Sequence, residues 1–184
     1  MKHIFKPAFS LFAVAAITTA LLSLVRDVTL EPIEIQRKAV HERTMRELLD
    51  AAEFTELPAP KTGSIVRVFE GARNGKRTGY VLELAPSGYS GTINMMVGIS
   101  DSERRITGMR IMRHSETPGL GALAVKEDFY RRYDNRRLMR LRVSRTPSSR
   151  DDEVEAITGA TITTNAVTGA VNEAIEWFNG GSRK

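Results

Sequence analysis

The chain has 184 residues, 41% hydrophobic and 27% charged, with a formal net charge of +5. That is the balance of one ordinary globular domain with a short appendage, not of a disordered tail or a multi-span membrane protein. There is no cysteine, and the three histidines, His3, His41 and His114, lack metal-ligand spacing, so thiolate iron–sulfur clusters, CxxCH haem attachment, disulfides and a histidine metal centre are set aside. Any redox work falls to an organic cofactor.

Ala8 to Val25 is an uncharged run, preceded by Lys2, His3 and Lys6 and closed by Arg26 and Asp27. As a helix it spans roughly 27 Å, close to the thickness of a hydrocarbon core. It exceeds a usual signal-peptide core and ends on no A-x-A site, which favours a retained anchor over a cleaved leader. The basic start favours a cytoplasmic tail at 1–7, a transmembrane helix at 8–25 and the bulk of the chain outside the cytoplasmic membrane, a single pass with the soluble domain on the periplasmic side. Residues 26–60 read as a juxtamembrane helix and linker: Ile33, Val40, Leu48, Leu49 and Ala52 predict a helix over 31–54, ended by Pro58 and Pro60.

Residues 61–184 form the remaining domain. Ile65–Phe69 and Thr78–Leu84 read as a hairpin, Thr92–Ile99 and Ile106–Arg113 as third and fourth strands. Leu120–Tyr133 is amphipathic, with Ala122, Val125, Phe129 and Tyr133 on one face. Met139, Leu141 and Val143 alternate with Arg140, Arg142 and Ser144 as in a strand with one wet face. Val154–Ile157 is a short apolar run. Val167, Val171, Ala174, Ile175 and Phe178 recur at helical spacing, and Gly180-Gly181 stops that helix. Strands in series with a few helices predict an α+β fold, an antiparallel sheet with packed helices. Arg131, Arg132, Arg136, Arg137, Arg140, Arg142 and Arg145 carry much of the basic excess. They join no nucleic-acid motif, so no nucleic-acid partner is expected; they read as a solvated rim, or as a contact for acidic lipid headgroups or a partner subunit.

The most informative stretch is Glu155-Ala-Ile-Thr-Gly-Ala-Thr161-Ile-Thr-Thr. Gly159 and Ala160 leave the backbone open to close approach, and the hydroxyls of Thr158, Thr161, Thr163 and Thr164 gather where a predicted helix begins and favours a phosphate. Composition alone equally allows Thr163 or Thr164 as an N-cap on a glycine-containing turn. In the second stretch, His114-Ser-Glu-Thr-Pro-Gly-Leu-Gly121, two glycines and a proline specify a fixed backbone. Nothing in the chain looks like a general base or nucleophile acting on a substrate, so no catalytic residue is expected.

Thr158-Gly159-Ala160-Thr161 resembles the S/T-G-A-T/S sequence of the FMN-binding domain shared by the G subunit of Rnf complexes and the C subunit of the sodium-pumping NADH:quinone oxidoreductase. His114–Gly121 is similar to that family's H-x-E-T-P-G-L-G loop, and Gly88-Tyr-Ser-Gly91 is a weaker match. The resemblance covers nearly the whole chain, and the length suits the G subunit better. It departs at Glu155, where the family usually has Asp. It implies FMN esterified through its phosphate to Thr161, with Thr158, Gly159, Ala160, Thr163 and Thr164 around the attachment. It also implies that Glu116, Thr117, Pro118, Gly119, Leu120 and Gly121 lie against the flavin. The implied role is a membrane-anchored electron carrier in an ion-translocating ferredoxin/NAD oxidoreductase, with other membrane subunits, a flavin transferase and membrane lipid as partners. The alternatives are an FMN subunit of a sodium-pumping quinone reductase, a stand-alone flavin shuttle, and a non-redox membrane-anchored adaptor.

Overall fold

The computed structural model describes residues 2–61 and 63–181; within these, the side chains of residues 2–6, 27, 30, 31 and 181 are not described. The flanking side chains of Lys2, His3, Lys6 and Asp27 therefore lie outside the described residues. The chain divides into two compact units, Met1–Arg43 and Thr44–Lys184. In the first unit, Pro7–Arg26 is long and apolar enough to cross a membrane, with a mean hydropathy of 2.2 and no burial. Its threonine hydroxyls are satisfied from within: Thr18 and Thr19 donate to the carbonyls of Val14 and Ala15, each at 2.8 Å. Such i−4 bonds remove the cost of a bare hydroxyl in hydrocarbon.

Helix α1 spans Lys2–Leu48 and includes Pro32, so the predicted break between an anchor helix and a second helix at Glu31 is absent. Nor does the helix reach Phe54. It closes at Leu48, the amide of Ala52 pairs with the Ala72 carbonyl, and Glu53–Leu57 becomes strand β1. The apolar spacing that suggests one more turn serves instead to bury Leu48, Leu49 and Ala51 against the sheet.

The second unit is a six-stranded antiparallel meander. Its strands run in sequence order: β1, β2 (Ile65–Arg73), β3 (Lys76–Leu84), β4 (Asn94–Ser100), β5 (Arg105–Arg113) and β6 (Arg136–Arg137). Strand alternation sends Tyr80, Leu82 and Leu84 to one face and Val81 to the other; Met95, Val97 and Ile99 oppose Met96 in the same way. The first face receives α3 (Thr161–Gly181) through Val167, Ala170, Val171, Ala174, Ile175 and Phe178, an apolar stripe at helical spacing. Tyr80 meets Trp177 and Phe178 edge-on at 5.2 and 6.0 Å. The other face receives the end of α1 and the turn after it, through Met45, Leu48, Leu49 and Ala51.

A row of glycines makes that second contact possible. Gly71, Gly79, Gly98 and Gly108 lie one on each of β2 to β5, with Gly71 opposite Gly79 and Gly98 opposite Gly108. A Cβ on Gly71 would stand 2.5 Å from Leu49 Cδ2, and one on Gly98 would stand 2.7 Å from the Leu48 carbonyl oxygen. The Thr107 hydroxyl donates to that same carbonyl, which has no acceptor role left inside the helix.

Two other expectations are corrected. Leu120–Tyr133 is not one amphipathic helix but a 3-10 turn over Gly121–Val125, helix α2 (Glu127–Tyr130) and a 3-10 turn over Arg131–Tyr133. Lys126 is extended, with φ −75° and ψ 147°, and breaks it. The strand expected over Met139–Val143 forms only at β7 (Arg142–Ser144), paired in parallel with β8 (Glu153–Glu155), because Leu141 bonds to the Asn172 side chain in both directions. Among the described residues α3 closes at Gly180 and Gly181, as expected.

Candidate functional site

The three stretches singled out by sequence are brought together at the N-terminal end of α3. A cavity of about 380 Å³ opens there, lined by Tyr89, Glu116, Thr117, Leu120, Gly121 and the run Gly159–Thr163. Its floor follows from local chemistry. Asn172 of α3 receives the Leu141 amide and donates to the Leu141 carbonyl, at 2.8 and 2.9 Å, which fixes β7 to the helix. Strand β8 is held by β7, the Ala156 amide reaching the Ser144 carbonyl at 2.8 Å. Arg132 donates to the Glu155 carbonyl at 2.6 Å. The chain therefore enters the Thr158-Gly159-Ala160 turn from a fixed point. Gly159, at φ +78°, makes the turn in the left-handed region that glycine favours. Its place against Leu120 leaves only 3.0 Å for a Cβ.

The four threonines of this segment differ sharply. Thr164 is fully buried; its hydroxyl donates to the Ala160 carbonyl and accepts the Ile157 amide, each at 3.1 Å. Thr163 is 1% exposed and donates to Glu116 Oε2 at 2.5 Å. Neither is an N-cap: α3 opens at Thr161, so the capping position falls to Ala160. Thr158 is exposed on the turn, outside the cavity lining. Thr161 is half-buried, lines the cavity, and its hydroxyl has no hydrogen-bond partner among the described residues. The first N–H groups of α3 point out of the helix end without intrahelical acceptors.

On the facing wall, Glu116 is 5% exposed. Its Oε1 accepts the Ser90 amide at 2.9 Å, and its own amide donates to His114 Nδ1 at 3.1 Å. Thr117, Pro118 and Leu120 are exposed, and Gly119 turns the loop at φ +77°. Ser90 and Thr117 hydroxyls lie 3.4 Å apart. The predicted loop residues are thus of two kinds, a buried carboxylate and an exposed rim. Tyr89 and Ile162, 69% and 56% exposed, complete that rim. Neither stood among the expected contacts; the Gly88–Gly91 turn and the residue after Thr161 were the available signals.

Most of the arginine segment lies on the surface, with Arg131, Arg137, Arg140, Arg142 and Arg145 exposed and Arg132 and Arg136 half-buried. Arg136 donates to the carbonyls of Arg150 and Asp151, Arg132 stacks on Phe129, and Arg140 and Arg142 face Glu176 and Asp152 at 3.5 and 3.9 Å.

Residues 88–176, which contain all three stretches, match the FMN-binding domain family, and residues 1–48 match the RnfG N-terminal region. The chain is 33% identical to the G subunit of the ion-translocating oxidoreductase complex of Methanosarcina acetivorans, over 97% of this chain and 96% of that one. It is also 33% identical to the G subunit of the Na(+)-translocating ferredoxin:NAD(+) oxidoreductase complex of Acetobacterium woodii, over 96% and 92%. The chain belongs to this G-subunit family. Its fold is shared with two solved structures. One is NqrC of Shewanella oneidensis, with TM-score 0.52 and 23% identity over 66% of this chain and 63% of that one. The other is the C subunit of the Na(+)-translocating NADH-quinone reductase of Parabacteroides distasonis, with TM-score 0.56 and 20% identity over 74% and 80%.

Proposed function

We propose that the chain is the electron-transfer subunit of an Rnf-type ion-translocating ferredoxin:NAD oxidoreductase, carrying FMN esterified through its phosphate to Thr161. The observation that carries this reading is the state of Thr161: the cavity-lining hydroxyl without a partner, on the first turn of a 21-residue helix. The cavity volume lies in the range of small-molecule sites. Free N–H groups and the helix dipole suit a phosphate at that end. Tyr89, Leu120 and Ile162 offer apolar surface for a flat ring, and the fixed backbone of Pro118 to Gly121 allows close approach.

Bound FMN supplies one-electron and two-electron redox chemistry, linking carriers that transfer electrons singly to those that do not. The part of this chain is to hold and orient. Thr161 anchors the phosphate end, the first turn of α3 neutralises it, and the His114–Gly121 loop orders the ring. The segment Pro7–Arg26 anchors the chain as a single pass, with the basic N-terminus cytoplasmic and the cofactor domain on the outer side of the membrane. Partners are then other membrane subunits of the complex, bilayer lipid, and a flavin transferase that acts on the exported domain. Protease treatment of spheroplasts tests the orientation; a domain still protected in intact cells would overturn it.

The decisive measurement is intact mass followed by peptide mapping, on protein made with its flavin transferase. One FMN per chain on Thr161 is expected. Thr161→Ala should lose the adduct and Thr161→Ser should keep it. Absence of any adduct in the natural chain would sink the covalent reading.

A further inference from the structure

Glu116 is the most enclosed charged side chain of the cavity, and its surroundings are built around it. A Cβ on Gly88 would stand 2.5 Å from its Oε1, and one on Gly121 would stand 2.5 Å from its Oε2. Two glycines from two loops therefore make room for one carboxylate. That carboxylate then receives the Ser90 amide on one oxygen and the Thr163 hydroxyl on the other. The Gly88–Gly91 turn, the His114–Gly121 loop and the first turn of α3 all meet on it. Both oxygens are engaged within the protein, and charge-assisted bonds of this kind are the strong ones.

We infer that Glu116 is a positioning residue that selects the hydroxyl to be esterified, by sequestering Thr163 and leaving Thr161, among the described residues, as the one cavity-lining threonine with an unengaged hydroxyl. This rests on the reading of Thr161 as the attachment residue. Esterification joins a threonine Oγ1 to the flavin-bearing phosphorus of a flavin dinucleotide. It breaks that phosphorus's anhydride bond, releases the nucleoside monophosphate and passes the hydroxyl proton to solvent. A hydroxyl competes only if its oxygen is free to turn toward the donor. Thr164 is excluded by its bonds to Ala160 and Ile157. Thr158 is excluded by its place outside the cavity. Thr163 shares the cavity with Thr161 and is withheld by its burial and by the bond that turns its hydroxyl to Glu116. Removing that acceptor turns a buried donor into a second candidate nucleophile two residues along the same helix turn.

The test maps the flavin ester in the full-length chain made with its transferase, with melting temperature and far-ultraviolet circular dichroism recorded for each variant. The natural chain should carry the ester on Thr161 alone, and Thr161→Ala should carry none while Glu116 is intact. Thr161→Ala with Glu116→Ala should regain flavin on Thr163, and adding Thr163→Val should remove it again. Should the Ala variant fail to fold, Glu116→Gln preserves shape. With its oxygen on the Ser90 amide, the glutamine turns its NH2 group to Thr163, and the charged acceptor of that hydroxyl is lost. Ester formation at Thr161 should slow by about tenfold, the factor carried by a lost hydrogen bond to a charged group, with a fraction of the ester now on Thr163. Folded Gln and Ala variants that place flavin only on Thr161, at the natural rate, would overturn the role of Glu116. So would a Thr161→Ala chain that carries full flavin on Thr163. A natural chain with no ester at all would instead overturn the reading on which the inference rests, and the two failures are distinct.

Discussion

The two faces of the sheet solve the same problem, burying apolar surface, by opposite means. The face under α3 uses bulk: Tyr80, Leu82, Met95 and Ile99 fill the space below Val171, Ile175 and Phe178. The face under the end of α1 uses absence, with Gly71, Gly79, Gly98 and Gly108 letting Leu48 and Leu49 settle on the backbone. A bulk-filled face loses most when a side chain is removed, and a glycine-lined face loses most when one is added. The first face carries the cavity end of α3, and the second carries none of the cavity.

The largest effect should come from Phe178→Ala, which empties a nearly buried ring position beneath α3. A loss of about 3–5 kcal/mol is expected in urea titration of the detergent-solubilised chain. On the other face, Gly98→Ala should cost about 1–3 kcal/mol by overpacking, because its Cβ would press on the Leu48 carbonyl. The flavin spectrum should stay as it is. If Gly98→Ala perturbs the spectrum, the two faces are not independent.

Tyr133→Phe probes the first face more finely. The buried phenol bonds to Thr168 at 2.8 Å, and its loss should cost about 1 kcal/mol at neutral pH. Burial raises the phenol well above its ordinary 10.0. The folded state thus favours the neutral form: that contribution is complete below about pH 10 and is lost as pH climbs towards the folded value. The natural chain should therefore weaken in strong alkali by an amount that the Phe variant lacks, as melting temperature against pH would show. The smallest effect is of opposite sign. Gly169 lies within α3 with open space where its Cβ would go, so Gly169→Ala should stabilise by about 0.5–1 kcal/mol. A glycine of α3 and a glycine of β4 then respond oppositely to the same substitution.

How much of this was legible beforehand follows the range of the interactions. Strands β2 and β3 and the apolar stripe of α3 are local patterns, and sequence reading places them to within a few residues. The Thr158–Thr161 turn was legible through its glycine and its resemblance to a known family. β1 was hidden because Leu48, Leu49 and Ala52 continue a helical spacing whose burial is decided by strand β2, residues away in sequence. β6 has two residues and exists only through its partner β5, so no local pattern announces it. Glu116 looked like a loop carboxylate free for a ligand. Its burial depends on Gly88 and Gly121 from either side, and sequence spacing does not show that two loops meet.

The glycine seat has a bearing on how relatives of this chain diverge. Gly71, Gly79, Gly98 and Gly108 face the end of α1 and line no part of the cavity, yet a methyl group at Gly71 or Gly98 meets a wall. Over long drift such positions should resist change as firmly as Gly119 or Gly159 in the loops at the cavity. Invariance there would record the docking of a helix end, not anything a flavin demands. A survey that took every fixed glycine as a mark of cofactor contact would draw the binding site on both sides of the sheet, and half of it would be wrong.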